Sequence, residues 1–554
     1  MGQIAYRANL SSATYPMTVA DGGRTVIIPG PDNNYDRRVD PTGQQLDAGI
    51  PQALYLENVM PTVNGYQSVG FLSPTSPMTV PGGAPTIAQC VEVRATTTFV
   101  GPSLYNFAIQ NIPLFAWSND TFTCGRLGNN TVTFSGTAIT TVIGGVFSTA
   151  VVRGICYLYF SSASVRELYT VVADTAGNLT LTNITASVLP AAFLSSDDII
   201  SICGSNNYLV CHNNVTAYWS STTTPTDFTS SLVSGAGQID PNNSDDALIY
   251  MRETLNGFYI YAQNNIIYAQ YTGNSRYPFK FTSVLNSTGL FSGRRWEFYG
   301  QVDSGGHYVI EKNKVIKFMQ GASTEPIAPE VSDFLAKNPS QALLNYSTNV
   351  FTEQNVATAV PSIYVYMNRY VLISVNGTNE ESAANKYTHV IVFDTHLRRL
   401  GKLKLEHTFM FCFWLPNEVV GFVNKQNNTI KYLSFDIYGN ATIPMANLTP
   451  DAHTGAMVLG KFQYVRSRMM QIEEIEIEGP QNTVITPSPN FSLVLLPSTD
   501  GRNFDTPIPL TPSYMSGGVA KYYTHHTAQN HSILLKGAFS VNTAQLRFVP
   551  GGER

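Results

Sequence analysis

The chain has 554 residues, of which 13% are charged and 43% hydrophobic, with 33 Lys plus Arg against 38 Asp plus Glu, a net charge of −5. That balance excludes a basic, phosphate-gripping nucleic-acid binder, and a hydrophobic fraction of this size excludes a disordered acidic chain. A charged fraction about half the usual ~25%, with 30 Tyr and 29 Phe, predicts an all-β protein of two or three domains rather than a long helical one.

At the start, MGQIAYRANLSSAT has no apolar stretch of signal-peptide type, and Tyr6 breaks the myristoylation pattern. No run of ~18 apolar residues predicts a transmembrane helix. The six cysteines (Cys90, Cys124, Cys156, Cys203, Cys211, Cys412) contain no CxxC pair and read as buried free thiols, with Cys203 and Cys211 not joined to each other. Sequons at Asn178, Asn183, Asn214, Asn376 and Asn440 read as Asn/Thr-rich turns, and synthesis in a cytoplasm is expected. Residues 1–84 are rich in Pro and Gly and read as an arm or a segment of a platform domain.

From residue 85 to about 440 a pattern recurs: an aromatic or β-branched run, a short Asn-bearing turn, and a second such run. It is clearest in NYLVCHNNVTAYW (Asn207 to Trp219), GFYIYAQNNIIYAQY (Gly257 to Tyr271), HYVIEKNKVIKFM (His307 to Met319), RYVLISVNG (from Arg369) and VVGFVNKQNNTIKYLSF (from Val419). Period-2 alternation marks half-buried strands, and a repeat of ~50 residues is what the blades of a β-propeller produce. About six blades are expected, with Asn213, Asn264 and Asn427 at hairpin tips in left-handed backbone. A β-sandwich series or a solenoid is the other architecture this pattern allows. One helix is expected at Ala328–Asn338, where Pro329 suits the first turn and Lys337 the last.

Residues 441–554 should form a β-sandwich. In KFQYVRSRMMQIEEIEIEG (Lys461 to Gly479) the second half alternates Ile with Glu, which places Ile inward and Glu473, Glu474, Glu476 and Glu478 outward.

Catalytic patterns are absent from the sequence: no G-x-S-x-G, H-E-x-x-H or P-loop occurs. STDGRNF (Ser498 to Phe504) reads as an Asp-Gly turn rather than a sialidase-type repeat, and Asp245–Asp246 as a solvated pair. His525, His526 and His531 cluster without a ligand spacing. No cofactor, metal or enzyme activity is expected.

Several phrases, in order, resemble the tail nozzle (tail tubular protein B) family of short-tailed bacteriophages. They are YLENVMPTVNGYQSVGF (Tyr55 to Phe71), AYWSSTTTPTDFTSSLVSGAGQ (Ala217 to Gln238), IIYAQYTGNSRYPFKFTSV (Ile266 to Val284), THVIVFDTHLRRLGKLKLEH (Thr388 to His407), LGKFQYVRSR (Leu459 to Arg468) and STDGRNF. Leu400 stands where the family pattern would have Trp. The resemblance implies a non-enzymatic virion protein, a hexameric ring of propellers that extends the tail below its adaptor proteins. DNA would leave through its channel without specific binding. Tail fibres or spikes at the side and the host envelope at the tip are the further implied partners. On this reading Glu473, Glu474, Glu476 and Glu478 lie near the lumen or a subunit boundary. The basic pairs Arg294–Arg295 and Arg398–Arg399 face neighbouring subunits, other tail proteins or outer solvent. A receptor- or glycan-binding propeller is the alternative, and a glycan-cleaving propeller the third class.

Overall fold

A computed structural model describes residues 4–9, 53–63, 65–74, 87–98, 107–117, 122–124, 132–136, 146–162, 165–174, 178–189, 199–241, 246–290, 302–303, 306–329, 331–332, 335, 340–355, 361–377, 387–415, 417–424, 427, 429–434, 448–451, 455–462, 468–479, 491–499 and 504–553. The chain is all-β, a set of mainly antiparallel sheets. Helical backbone occurs at Pro329, Val331, Ser332 and Leu335, where the sequence predicts a helix, and in a 3-10 turn at Thr185–Ser187.

Two of the recurring segments build four-stranded meanders, Ser201–Ser205 to Gly237–Ile239 and Leu248–Thr254 to Phe279–Ser283; a third, Val302–Asp303 to Ser323–Pro326, follows. Each strand is a short apolar run closed by a turn, so neighbours in sequence pair as neighbours in the sheet. First strands then pack side by side. Val146–Val152 lies on Ser201–Ser205, which lies on Leu248–Thr254, which meets Val302–Asp303. Gly306–Ile310 meets Ser362–Tyr366, and Ser362–Tyr366 meets Asn417–Asn424. Phe409–Leu415, in the sheet of Asn417–Asn424, returns to Phe107–Trp117 in the sheet that begins the series. Six sheets therefore follow one another in a closed order.

Two five-stranded sheets stand beside this series. One orders Ile4–Asn9, Thr543–Glu553, Arg468–Glu478, Val519–Ala528 and Tyr514–Ser516; the other orders Ala53–Glu57, Ala456–Phe462, Asn530–Gly537, Phe491–Ser498 and Ile508–Leu510. Ile472, Ile475, Ile477 and Leu546 of the first share a core with Leu56, Leu459, Leu495 and Leu535 of the second. The second sheet's other face carries Val458, Val494 and Leu534, packed with Leu344 of the hairpin Ser340–Asn345/Val350–Asn355. Residues buried on both faces explain why LVLL and ILL are continuous apolar runs.

The N-terminal strands are divided among sheets. β1 (Ile4–Asn9) pairs with Thr543–Glu553, and β2 (Ala53–Glu57) with Ala456–Phe462. β3 (Val59–Pro61) and β4 (Tyr66–Ser68) extend the sheet of Arg399–His407 and reach Ser540–Val541. β5 (Gly70–Pro74) pairs with Thr429–Ser434. Residues 53–74 thus join the second five-stranded sheet to two members of the closed series.

Asn213, Asn264 and Asn427 lie in the turns between paired strands, as the repeat predicts. Their backbone is not left-handed, which corrects the expected conformation. Side-chain bonding replaces it: Asn213 Oδ1 accepts from Val215 N and Thr216 N at 2.9 and 2.7 Å, and Asn427 Oδ1 from Thr429 N at 3.2 Å. Left-handed backbone falls instead at other turns of the recurring segments, among them Asn206 and Asn207 one hairpin earlier, Lys314 in the third copy, and Met367 and Asn368 before Tyr370. Cys203 and Cys211 are not joined in a disulfide and belong to core clusters on opposite faces of their sheet.

Buried histidines tie strands and sheets together in the neutral form. His307 Nε2 donates to Glu253 O at 2.9 Å, which leaves Nδ1 to accept from Tyr261 OH. His407 Nδ1 donates to Leu405 O at 2.9 Å and Nε2 accepts from Ser374 Oγ at 2.7 Å. Burial lowers His307 and His531 to about 3 and His407 to about 4. In the unfolded chain these groups titrate near ~6.5, so below that pH the unfolded state binds protons the folded state refuses. Stability should therefore fall as pH drops from 7 to 5, by up to about 1.4 kcal/mol per pH unit for each histidine. Calorimetric proton uptake on unfolding at pH 5 should drop by about one proton in His307→Gln; an unchanged uptake contradicts the neutral assignment.

Candidate functional site

The acidic strand Arg468–Glu478 is not a simple alternation. Its pairing with Val519–Ala528 and with Thr543–Glu553 skips Glu473 in both ladders, so a β-bulge sits there. The bulge is what the spacing Ile472, Ile475, Ile477 requires: one extra residue resets the pleat so that all three isoleucines are buried in the shared core. Glu474, Glu476 and Glu478 then occupy the opposite face. Glu474 is itself buried, and Lys521 on the neighbouring strand stands 3.2 Å from Glu474 Oε1 and 2.6 Å from Glu476 Oε2. Hydrogen bonds to Glu476 and Glu474 raise the lysine's pKa. The face is thus a partly neutralised one, flanked by the half-exposed rings of Tyr514 and Tyr523.

The arginines separate. Arg398, left-handed at φ 52°, is exposed on the turn after Asp394 and lies 3.7 Å from Glu325. Arg399 is fully buried, opposite Asp394 in the ladder and 5.8 Å from the Tyr66 ring centroid. The expectation that both members of this pair face partners or solvent is corrected: strand alternation sends the second arginine inward, beside a buried carboxylate. Asp394 also takes a 2.5 Å ion pair from Arg369 and caps its turn through His396 N and Leu397 N. Arg294 and Arg295 lie outside the described residues.

A second charged group, which periodicity alone does not reveal, lies where β2 crosses the Arg399–His407 strand. Buried Glu57 accepts from Tyr55 OH, from Tyr346 OH at 3.0 Å and from Lys404 Nζ at 3.4 Å. Lys402, 1% exposed, makes no hydrogen bond through Nζ and faces the Tyr55 ring at 5.7 Å. Burial lowers it to about 7, against a weaker opposing pull from Glu57. His389 nearby is held well below its usual value by burial and by Lys402 and Lys404.

Between Gly306–Ile310, Ile316–Gln320 and Tyr387–Asp394 lies a cavity of about 410 Å³, lined by Tyr308, Phe318, Phe393 and Thr395 with Glu325 and Arg398 at its edge. Among the described residues no group of three or more His, Cys, Asp and Glu is placed to hold a metal. His526 Nδ1 and His531 Nε2 are 3.4 Å apart, on strands of different sheets. Asp246 accepts from Asn264 N at 2.9 Å, a turn contact; Asp245 and Asp500 lie outside the described residues.

Lys402 gives the seam a testable sign. Because its folded pKa is below the unfolded ~10.4, the unfolded state binds more protons between pH 7 and 10, and the lysine costs stability that is recovered as pH rises. A cation–π contact of about 0.5–2 kcal/mol offsets only part of a shift of this size. Lys402→Met should raise the thermal midpoint at pH 7, with a smaller gain at pH 10. Glu57→Ala should lower stability by about 1–3 kcal/mol, read by denaturant unfolding, since it leaves Tyr55 OH and Tyr346 OH without their acceptor while half-exposed Lys404 can turn to water.

No known protein family matches the chain, and no curated protein matches it. Among solved structures it is similar to the extracellular domain of a putative one-component system from B. thetaiotaomicron, at 8% identity and a TM-score of 0.26. The match covers 71% of this chain and 64% of that one, so this chain spans less than two thirds of its length.

Proposed function

We propose that the protein is a structural component of a virion, the nozzle of a short bacteriophage tail, and that its closed series of six sheets is a propeller within a ring-shaped, hexameric DNA conduit. The observation that carries the reading is where the resembling phrases fall. YLENVMPTVNGYQSVGF is the segment that joins β2, β3, β4 and β5 to three sheets, and the DTHLRRLGK phrase holds Asp394, Arg399 and the approach of Gly401 to Val59. Both phrases serve as framework here, pairing strands and closing the core. Adaptor proteins above, fibres at the side and the host envelope below are the partners this reading supplies, with DNA passing unbound and no catalysis.

Within it, the face of Glu474, Glu476 and Glu478 suits a subunit boundary better than an open lumen. Lys521 offsets part of its charge, and Tyr514 and Tyr523 are the residue type that anchors interfaces. A ring contact is heterologous and closes by rotation.

The second reading, a glycan- or receptor-binding propeller, is favoured by one feature: the aromatic-lined cavity of about 410 Å³ with Arg398 and Glu325 at its edge. Negative-stain images and native mass separate the two. A six-fold ring with a pore supports the conduit; a monomer that binds a glycan panel through Phe318 replaces it. Tyr514→Ser with Tyr523→Ser should dissociate the ring and leave the protomer's unfolding free energy within about 0.5 kcal/mol of the parent.

A further inference from the structure

Two of the three C-terminal histidines meet at a corner of the chain. Val519–Ala528 belongs to one five-stranded sheet and Asn530–Gly537 to the other, so the chain passes between the sheets over Gln529 alone. His526 stands just before this corner and His531 just after it. His526 Nδ1 and His531 Nε2 approach to 3.4 Å, with ring centroids 5.7 Å apart and ring planes at 85°.

That separation is long for a hydrogen bond, whose heavy atoms ordinarily close to about 2.7–3.2 Å. It matches two nitrogens on one tetrahedral cation. With metal–nitrogen bonds of about 2.0–2.1 Å the two nitrogens stand about 3.3–3.4 Å apart, and their ring centroids roughly 5–6 Å apart. The backbone fixes the spacing from both sides, because His526 lies opposite Ile472 in its ladder and His531 opposite Pro497 and Phe462 in its own.

The surroundings suit a cation as well. Burial lowers the pKa of both rings, so each is in the neutral form that a metal takes as a ligand. His531 is 1% exposed, and its Nδ1 has no hydrogen-bond partner among the described residues. Asp505 N donates to Pro497 O at 2.8 Å, beside the residue opposite His531, and the Asp505 carboxylate accepts from Thr499 Oγ1 at 3.3 Å. That carboxylate acts on His526 strongly enough to oppose part of the effect of burial. His526 itself is half-buried between exposed His525 and exposed Thr527, which gives an ion a path from solvent.

Two imidazoles with one carboxylate beside them select a late first-row dication such as Zn²⁺ over Mg²⁺ or Ca²⁺, which take oxygen ligands. We propose that His526 Nδ1 and His531 Nε2 bind a Zn²⁺-class cation, with water completing its shell and Asp505 offsetting its charge. Among the described residues no third protein donor converges on the pair, so the site is an open one, weaker than a closed four-ligand centre. Its two ligands come from different sheets, and the ion therefore pins the corner where the chain crosses from one to the other. The inference holds for the single chain and does not depend on ring assembly.

The test is isothermal titration of the untagged, chelator-treated full chain with ZnCl₂, and with MgCl₂ as the control. Zn²⁺ should bind and Mg²⁺ should not. His526→Ala should weaken the Zn²⁺ affinity by about tenfold or more and Asp505→Asn by about tenfold, while His525→Ala leaves it unchanged. His526→Gln, which keeps a polar side chain at the corner, should lose the binding as well. Zn²⁺ should raise the thermal midpoint of the parent and leave that of both His526 variants where it was, a readout that also shows the variants to be folded. Absence of Zn²⁺ binding overturns the proposal, as does binding that survives both His526 substitutions. So does an equal loss in His525→Ala, the mark of an adventitious surface ion only.

Discussion

Residues 53–74 meet partners about 340 to about 475 residues further along the chain, from Lys402 opposite Val59 to Val541 opposite Tyr66. Everything else in the fold leans on those pairings. Asn58, left-handed at φ 52°, turns the segment between two sheets, accepting from Lys404 N through its side chain and from Val69 N through its carbonyl. Gly401 lies so close beneath that a Cβ would stand 2.6 Å from Val59 O, so any side chain at that position would push the segment off its sheet. Closing such long loops adds little to the equilibrium cost, because the entropy grows only with the logarithm of length. It weighs on the rate instead, since non-local pairs form after local ones.

The local part of the architecture was legible. Alternating runs with an Asn turn between them announce hairpins, and in the second and third meanders each hairpin sits where the pattern places it. The turn conformation was not legible, because asparagine has two ways to close a turn and only the geometry of the flanking strands chooses between them. The acidic strand shows the same limit. Its isoleucines fall at intervals of three and two, a spacing that strict alternation cannot satisfy, and the bulge at Glu473 resolves it. Arg399 could not be placed from sequence at all. Adjacent arginines look alike until the ladder sets Asp394 opposite the second of them.

Few charges are present, and several of those go inside. Lys317 and Glu311 pair at 2.7 Å with almost no exposure, Arg369 and Asp394 at 2.5 Å, and Glu57 gathers a lysine and two tyrosines. Such pairs add little net stability relative to well-packed apolar residues, but a mispaired alternative would leave one partner bare. In a chain built of many similar hairpins, that penalty discriminates between one sheet neighbour and another, a role that apolar contacts, being nondirectional, perform poorly.

The placement of β5 has a consequence for how the protein is made. Leu72 leaves the ribosome long before Tyr432, its ladder partner; at the usual 5–20 residues per second the interval is roughly 20–70 s. During that time the strands of residues 53–74 have no sheet to join, although most of their described side chains end up buried. Strands made well before their partners are thus seated late, and while they wait they are a natural substrate for chaperones that shield exposed edges.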